Sequence, residues 1–225
     1  MAAQVESYAT VTADGDCMVN TTVRLHLDSP VENLAFPVPL TASDVTLNGG
    51  SARTTKTATA IEVDISRLTS GMAGDITLAL NYNLPGAVQA IVTEENGVSK
   101  VNKDYLQLVL PLLSSFELPV QDLRFVLTMP QDIPYYPTFH SIYQQTGIEA
   151  ALDYNIDKTM MTGQSNQPLN DHEAITMNLW VDQEMFPTVS TYIRNGDPEL
   201  VPMLVFAGLA LVYWILFLRT WPLIR

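Results

Sequence analysis

The 225-residue sequence has a single cysteine, Cys17, and few basic residues, with 11 Lys and Arg against 24 Asp and Glu. One cysteine excludes a disulfide-stabilised scaffold and any zinc or iron–sulfur site built from several thiolates. The formal net charge of −13 argues against nucleic acid as a partner, because the phosphate backbone is bound by clustered Lys and Arg side chains. Apolar residues make up 47% of the chain, which excludes a disordered protein.

Motifs for catalysis and cofactor binding are also missing. The sequence contains no Gly-x-Ser-x-Gly turn, Walker sequence or Gly-x-Gly-x-x-Gly, the usual signals for hydrolases and nucleotide binding. His26, His140 and His172 show no metal-ligand spacing such as His-x-x-x-His. We interpret Asp171-His172-Glu173 as a turn entering a strand, with a metal site as the less favoured alternative. We therefore expect a protein that is not an enzyme and holds no metal or cofactor, with an envelope hydrolase as the weakest alternative.

The segment Leu200–Leu218 contains 19 consecutive residues without a charge. As a helix it would extend about 28 Å, close to the roughly 30 Å hydrocarbon core of a bilayer. A buried core helix, the alternative, seldom stays apolar on every face over this length. The pattern predicts a transmembrane helix that contacts the lipid bilayer. We expect the ends of this helix to be capped and anchored by Asp197, Arg219, Trp221 and Arg225.

Alternation of apolar and polar residues dominates the chain before this segment and predicts β-strands. Cys17–Asp28 alternates after a turn at Ala13–Asp16, and Ile76–Leu84 has an unbroken apolar face. The same alternation returns in Leu123–Met129 and Ile175–Val181. Short strands separated by turns at intervals of about 8–12 residues are typical of β-sandwiches.

The predicted fold class is all-β, with two tandem Ig-like β-sandwich domains followed by a single C-terminal transmembrane helix. The turn Pro85-Gly86 separates the two predicted sandwiches. The predicted boundaries are 1–86 for the first sandwich, 87–188 for the second, 189–199 for a juxtamembrane linker, 200–218 for the helix and 219–225 for a cytoplasmic tail.

Residues 131–147 lack a regular period and are rich in aromatic side chains. Aromatic rings with polar tips are frequent anchors at protein interfaces and can stack on sugars. Three interpretations stay open: a loop folded onto its own domain, a surface for a protein partner, and a glycan site. The candidate contact residues are Tyr135, Tyr136, Phe139 and Tyr143.

The start of the chain, Met1-Ala2-Ala3-Gln4, lacks the basic and apolar regions of a signal peptide. We interpret Ala-Ala-Gln as the remainder of a cleaved Ala-x-Ala site preceded by an added Met, against the alternative of a cytosolic start. The lack of paired cysteines favours a bacterial envelope protein over a eukaryotic ectodomain. We expect the N-terminal domains to be extracytoplasmic and the C-terminus cytoplasmic, since Arg219 and Arg225 outnumber Arg194 around the apolar segment.

Several segments share an order of strands, turns and prolines with a known group of proteins. They are Glu6-Ser7-Tyr8-x4-Ala13-Asp14-Gly15-Asp16, Leu108–Pro111, Phe125–Pro130 and the strand Ile175–Val181. In these segments the chain resembles bacterial predicted membrane proteins of domain-of-unknown-function family 2207, the YciQ-like group. The resemblance implies a cleaved signal, an outward-facing β region and a membrane anchor. It implies no established activity, and no functional residue is carried over.

The preferred hypothesis is a non-enzymatic, membrane-anchored extracytoplasmic β-sandwich protein that presents a surface to another protein of the bacterial envelope. The alternative is a cell-surface glycan-binding module that uses the aromatic loop 134–143. The expected partners are the lipid bilayer, through residues 200–218, and a membrane or envelope protein. Nucleic acid and small-molecule cofactors are not expected partners.

Overall fold

A computed structural model of the protein describes residues 1–95, 98–141 and 148–189. Most of these residues lie in β-strands, and the helices among them are short, with two 3-10 helices at Ile148–Ala151 and Gln183–Met185. The other elements are β1 (Ala2–Val11), β2 (Cys17–Leu27), β3 (Ala35–Pro39), β4 (Ser43–Leu47), β5 (Gly50–Ser51), β6 (Thr54–Lys56), β7 (Ala60–Asp64), α1 (Ser66–Thr69), β8 (Gly74–Leu84), β9 (Val88–Glu95), β10 (Val98–Leu113), β11 (Val120–Thr128), β12 (Thr138–Ser141), β13 (Leu152–Asp157), β14 (Met160–Ser165) and β15 (Ile175–Asp182).

The described strands form three sheets. The first has eight strands in the order β13-β14-β11-β1-β2-β8-β4-β5, the second has four in the order β12-β15-β10-β9, and the third has three in the order β3-β7-β6. β1 and β11 run parallel, and the other neighbouring pairs of described strands are antiparallel. The number of strands confirms the β-rich character expected from the alternation. Buried apolar residues from all three sheets belong to one hydrophobic core.

The eight-stranded sheet combines strands from both of the predicted sandwich domains. β1 lies between its hairpin partner β2 and the distant β11, which it pairs from Ala3↔Val120 to Thr10↔Thr128. Alternation identifies the two faces of a strand but not its neighbours, because any partner satisfies a period of two. The predicted fold class of two tandem Ig-like sandwiches is therefore wrong, since strands from both halves of the chain share one sheet.

The second correction to the fold class concerns the transmembrane helix. Among the described residues, no helix has both the length and the apolar character needed to cross a bilayer. The alternating pattern of this part of the chain produces strands rather than continuous apolar helices. The prediction of a single-pass membrane protein is corrected together with the fold class, on the same finding. The predicted helix 200–218, linker residues 190–199, tail 219–225 and anchor residues Asp197, Arg219, Trp221 and Arg225 lie outside the described residues.

The four-stranded sheet has one face in the core and one face outward. On β10, Leu106 and Leu108 are fully buried and Leu110 is 2% exposed, as expected from their shared face. β15 confirms the strand predicted at Ile175–Val181, and its odd-numbered residues are buried. The outward side chains of the two strands are half-buried or exposed, and they are Tyr105, Gln107, Val109, Pro111, Thr176, Asn178, Trp180 and Asp182.

Candidate functional site

Three aromatic side chains, Tyr105, Tyr135 and Trp180, form a cluster on the outward face of the four-stranded sheet, which we call the aromatic cluster. The pairing of β10 with β15 places Tyr105 opposite Asp182 and Gln107 opposite Trp180. Tyr105 and Trp180 are thus diagonal neighbours, a separation that aromatic side chains can span. Their ring centroids lie 5.9 Å apart. The register of these two strands therefore creates the centre of the cluster.

Tyr135 joins the cluster from the segment between β11 and β12. Its ring stands edge-on to Tyr105, with centroids 5.8 Å apart and an interplanar angle of 80°. Its hydroxyl donates a hydrogen bond of 3.1 Å to Asp182 Oδ1. Hydrogen bonding with Tyr105, then desolvation and the carboxylate of Asp182, raise the pKa of Tyr135 to about 12. The phenol therefore stays protonated at neutral pH and acts as a donor that ties the segment to the sheet.

The aromatic cluster is open to solvent. Trp180 is 49% exposed and Tyr135 is 38% exposed, and the next residue in sequence, Tyr136, is 81% exposed. Large aromatic side chains are mostly withdrawn from water in folded proteins, so a group of exposed ones marks a surface available for contact. The polar tips of the tyrosines and the indole N–H add hydrogen-bonding groups to this apolar area.

Asp182 brings a negative charge to the cluster. Among the described residues, Tyr135 is the one side chain that hydrogen-bonds its carboxylate, and no Lys or Arg pairs with it. A carboxylate accepts up to about four hydrogen bonds, so acceptor capacity remains. The outward face of the eight-stranded sheet differs, because there Arg124 Nε pairs with Asp122 Oδ2 at 2.9 Å.

The structure separates the residues predicted to contact a partner. Tyr135 and Tyr136 lie at the surface, whereas Phe139 is only 4% exposed. Phe139 occupies an inward position of β12, and its ring lies 6.2 Å from that of Phe125 and 5.6 Å from that of Tyr154. Phe139 thus contributes to the core and not to the exposed surface. Tyr143 lies outside the described residues.

Sequence reasoning missed Tyr105, Trp180 and Asp182, the three members of the site that lie on strands. A signal for them was present, because Trp180 falls between the apolar positions Leu179 and Val181 of a predicted strand. A tryptophan on the polar face of a half-buried strand is exposed by the same alternation that buries its neighbours. Tyr105 shares the polar face of its own strand in the same way.

The histidines show no comparable arrangement. His172 adopts a left-handed backbone conformation with φ of 58° in a turn before β15, which confirms the interpretation of Asp171-His172-Glu173 as a turn. His26 Nδ1 lies 2.7 Å from Asp75 Oδ1 at an exposed position. Within the ranges that the structure describes, no group of three or more His, Cys, Asp or Glu side chains is placed to hold a metal ion.

A groove of about 420 Å³ is lined by residues farther along the four-stranded sheet, and none of the cluster residues lines it. Gln89, Val109, Pro111 and Thr176 line it from the four-stranded sheet, and Pro39–Thr41 line it from the end of β3. Its volume falls within the range of small-molecule sites, about 300–1,000 Å³. None of its lining side chains is charged, so the groove offers no group for acid–base chemistry.

The sequence matches no family model and no curated protein. The solved structures with some similarity include the M1 zinc metallopeptidase from Deinococcus radiodurans, at 13% identity over 79% of this chain and 41% of that chain, with a TM-score of 0.33. A two-domain M1 zinc metallopeptidase bound to L-tryptophan is 14% identical over 78% of this chain and 42% of that chain, with the same TM-score of 0.33. The chain thus spans about two fifths of the length of these peptidases. We take neither fold nor activity from likeness at this level, and the resemblance to family 2207 stays a prediction.

Proposed function

We propose that this protein is a non-enzymatic β-sheet protein that presents the aromatic cluster, together with Tyr136, as a binding surface for a protein partner. The observation that carries the proposal is the exposure of Trp180, which is 49% accessible although it stands on a well-packed strand. Trp and Tyr are strongly enriched among the residues that contribute most to protein–protein affinity. The predicted envelope location and bilayer contact stay predictions.

The rigidity of the site supports this proposal. Trp180 and Tyr105 project from paired strands whose opposite faces are buried in the core. Tyr135 is held by its ring contact with Tyr105 and by its hydrogen bond to Asp182. Side chains that are already held in place lose little conformational entropy when a partner binds, so more of the contact energy appears as affinity.

Site-specific photo-crosslinking in the cells that produce the protein tests the proposal. A photoreactive phenylalanine analogue replaces Tyr136 in the full chain, and a matched control carries it at Asn20, an exposed position on the outward face of the eight-stranded sheet. We expect a discrete adduct from position 136 and none from position 20. Trp180→Ala should lower the adduct yield by about tenfold, the effect of removing a residue that contributes strongly to binding.

Two results would contradict the proposal. One is the absence of any adduct from position 136, or the same products from positions 136 and 20. The other is an adduct from position 136 whose yield does not change with Trp180→Ala, since the cluster would then not be the contact surface.

A second candidate, glycan binding, is favoured by the amide side chains beside Trp180. Gln107 is directly opposite Trp180, and Asn178 precedes it on the same outward face. An indole plane next to amides can stack on the apolar face of a sugar while the amides bond its hydroxyls. Array binding that Trp180→Ala abolishes, and that Tyr8→Ala on the eight-stranded sheet leaves intact, would favour this candidate. Phe139, which is buried, has no part in it.

A further inference from the structure

We infer that the protein partner places an arginine side chain over Trp180 and against Asp182. The inference rests on the proposed function and identifies the chemistry of the partner at that surface. Trp180 and Asp182 are two residues apart on β15 and therefore project from the same face, about 6.6 Å apart along the strand. An aromatic plane next to a carboxylate is the combination that a guanidinium group satisfies best.

The geometry at Asp182 leaves room for such a group. Tyr135 donates one hydrogen bond, to Oδ1, and the described part of the chain provides no basic side chain to the carboxylate. A guanidinium can donate two parallel hydrogen bonds to a carboxylate. It can also stack on an indole within about 6 Å of the ring centroid, and Trp180 is half accessible.

The segment that supplies Tyr135 and β15 has a negative net charge, although Lys103 on β10 lies two residues from Tyr105. Residues 130–189, which supply Tyr135 and β15, contain one basic residue, Lys158. A carboxylate next to exposed aromatic rings attracts cationic partners. Among the eight Asp and Glu residues of this segment, Asp182 is the one described side chain that contacts the aromatic cluster, and Glu173 is buried.

The outward face of the eight-stranded sheet provides an internal contrast. Glu6, Arg24, Asp122 and Arg124 line one shallow depression there, so positive and negative side chains neutralise one another within the protein. On the face that carries the aromatic cluster, no described Lys or Arg side chain pairs with Asp182. The inferred partner supplies the positive charge. Arginine is favoured over lysine because an ammonium group is compact, strongly hydrated and without a plane to stack.

Binding of short peptides to the isotope-labelled full chain tests the inference by nuclear magnetic resonance. The probes are three peptides of identical Gly-rich sequence that carry arginine, lysine or the neutral isostere citrulline, and the signal is the indole N–H of Trp180, assigned with Trp180→Phe. We expect a saturable shift with the arginine peptide and about three- to tenfold weaker binding of the citrulline peptide, the range for a cation over an exposed aromatic ring. Lysine should bind with intermediate affinity.

Variants of the two contact residues complete the experiment. Asp182→Asn keeps an acceptor for Tyr135 but removes the charge, and it should weaken arginine binding by about three- to tenfold. Glu62→Gln, an exposed acidic residue on β7 of the three-stranded sheet, should leave it unchanged. Equal binding of the arginine and citrulline peptides, or full arginine binding by Asp182→Asn, would overturn the inference.

The outcomes for the inference and for the proposed function can be told apart. A Trp180-dependent adduct from position 136, without arginine selectivity of the peptides, rejects the arginine contact and leaves the protein-binding surface standing. Arginine-selective peptide binding without any adduct rejects the protein-binding surface.

Discussion

Gly163 is a position at which the packing leaves no space for a side chain. It lies on β14 directly opposite Phe125 of β11, and a Cβ atom at position 163 would overlap the ring of Phe125. That ring is buried and extends the aromatic contacts of the core to Phe139. The missing side chain of Gly163 therefore makes room for the ring of its neighbour.

We predict that Gly163→Ala lowers the free energy of unfolding by about 1–3 kcal/mol, the typical cost of overpacking a core. Urea denaturation of the variant and the parent protein measures the difference. Gly50→Ala is the matched control, because a Cβ atom at position 50 meets only ordinary contact, 3.7 Å from the carbonyl oxygen of Leu47. Equal losses at positions 163 and 50 would show that the clash with Phe125 does not set the cost.

Two buried acids, Cys17 and Tyr82, link the stability of the protein to alkaline pH. Burial raises the pKa of the Cys17 thiol from 9.0 to about 12. Burial also raises the pKa of Tyr82 from 10.0 to about 12, although its hydrogen bond with Thr21 acts in the opposite direction. The folded state thus holds both groups neutral, so their contribution to stability is complete below the unfolded-state pKa and is lost as the pH rises towards 12.

We predict that the free energy of unfolding falls between pH 9 and pH 12, by up to about 1.4 kcal/mol per pH unit for each group. Tyr82→Phe should make this fall shallower, most clearly above pH 10, where the unfolded tyrosine ionises. In the parent protein Thr21 also hydrogen-bonds Ser7 at 3.0 Å, so we expect the variant to keep its fold. Urea titrations across this pH range give the slopes, and identical slopes for parent and variant would contradict the role of Tyr82.

At the scale of elements, the segment between β11 and β12 is fastened by a few contacts, one to the turn between β13 and β14 of the eight-stranded sheet and the others to β15 of the four-stranded sheet. The backbone N–H of Ile133 donates to the carbonyl of Lys158 at 2.9 Å, and Tyr135 bonds Asp182. β12 then pairs with β15 from Thr138↔Asn178 to Ser141↔Ile175. The aromatic segment is therefore partly folded onto its own protein, which is one of the interpretations that the sequence left open, and partly exposed.

We predict that Tyr135→Phe loosens this segment without unfolding the protein. The ring remains, but the hydrogen bond to Asp182 is lost, a change worth about 0.5–1.5 kcal/mol. Hydrogen exchange of the amides between Ile133 and Tyr136 should accelerate by about two- to tenfold, the rate equivalent of that energy. Tyr136→Phe is the control, since Tyr136 is 81% exposed. Unchanged exchange in Tyr135→Phe would mean that other contacts hold the segment.

At the scale of the whole molecule, strands from both ends of the described chain are interleaved. β1 needs β2 on one side and β11 on the other, and the core is shared by residues from both halves. A division at Pro85-Gly86 would leave β1 as an open edge and would expose apolar surface on both pieces. Open edges and exposed apolar faces favour aggregation over independent folding.

We predict that residues 1–86 and residues 87–189 do not fold as separate fragments, whereas residues 1–189 do. The physical reason is that each fragment lacks the strands that cover its inner face. Dispersion of amide resonances in nuclear magnetic resonance spectra distinguishes the folded and unfolded cases, and mixing the two fragments should restore part of the dispersion. A well-dispersed spectrum from residues 1–86 alone would show that this half is an independent domain.

Local patterning was enough to locate most strands, because successive residues of a strand alternate between its buried and exposed faces. Cys17–Asp28 and Ile76–Leu84 were predicted in this way, and β2 and β8 lie there. The short strand β12 was missed because four residues are too few to show a period. The prediction that its inward residue, Phe139, is a surface contact is wrong for the same reason.

Tertiary structure alone decided which strands are neighbours and which aromatic residues meet. The hydrogen-bonding groups of the backbone are the same in every strand, so no local pattern distinguishes β11 from another partner for β1. Tyr105, Tyr135 and Trp180 are distant in sequence, and they meet because the register between β10 and β15 sets two of them side by side. The composition predicted an acidic protein and the alternation predicted a β-rich one, whereas the candidate binding surface depends on how the strands pair.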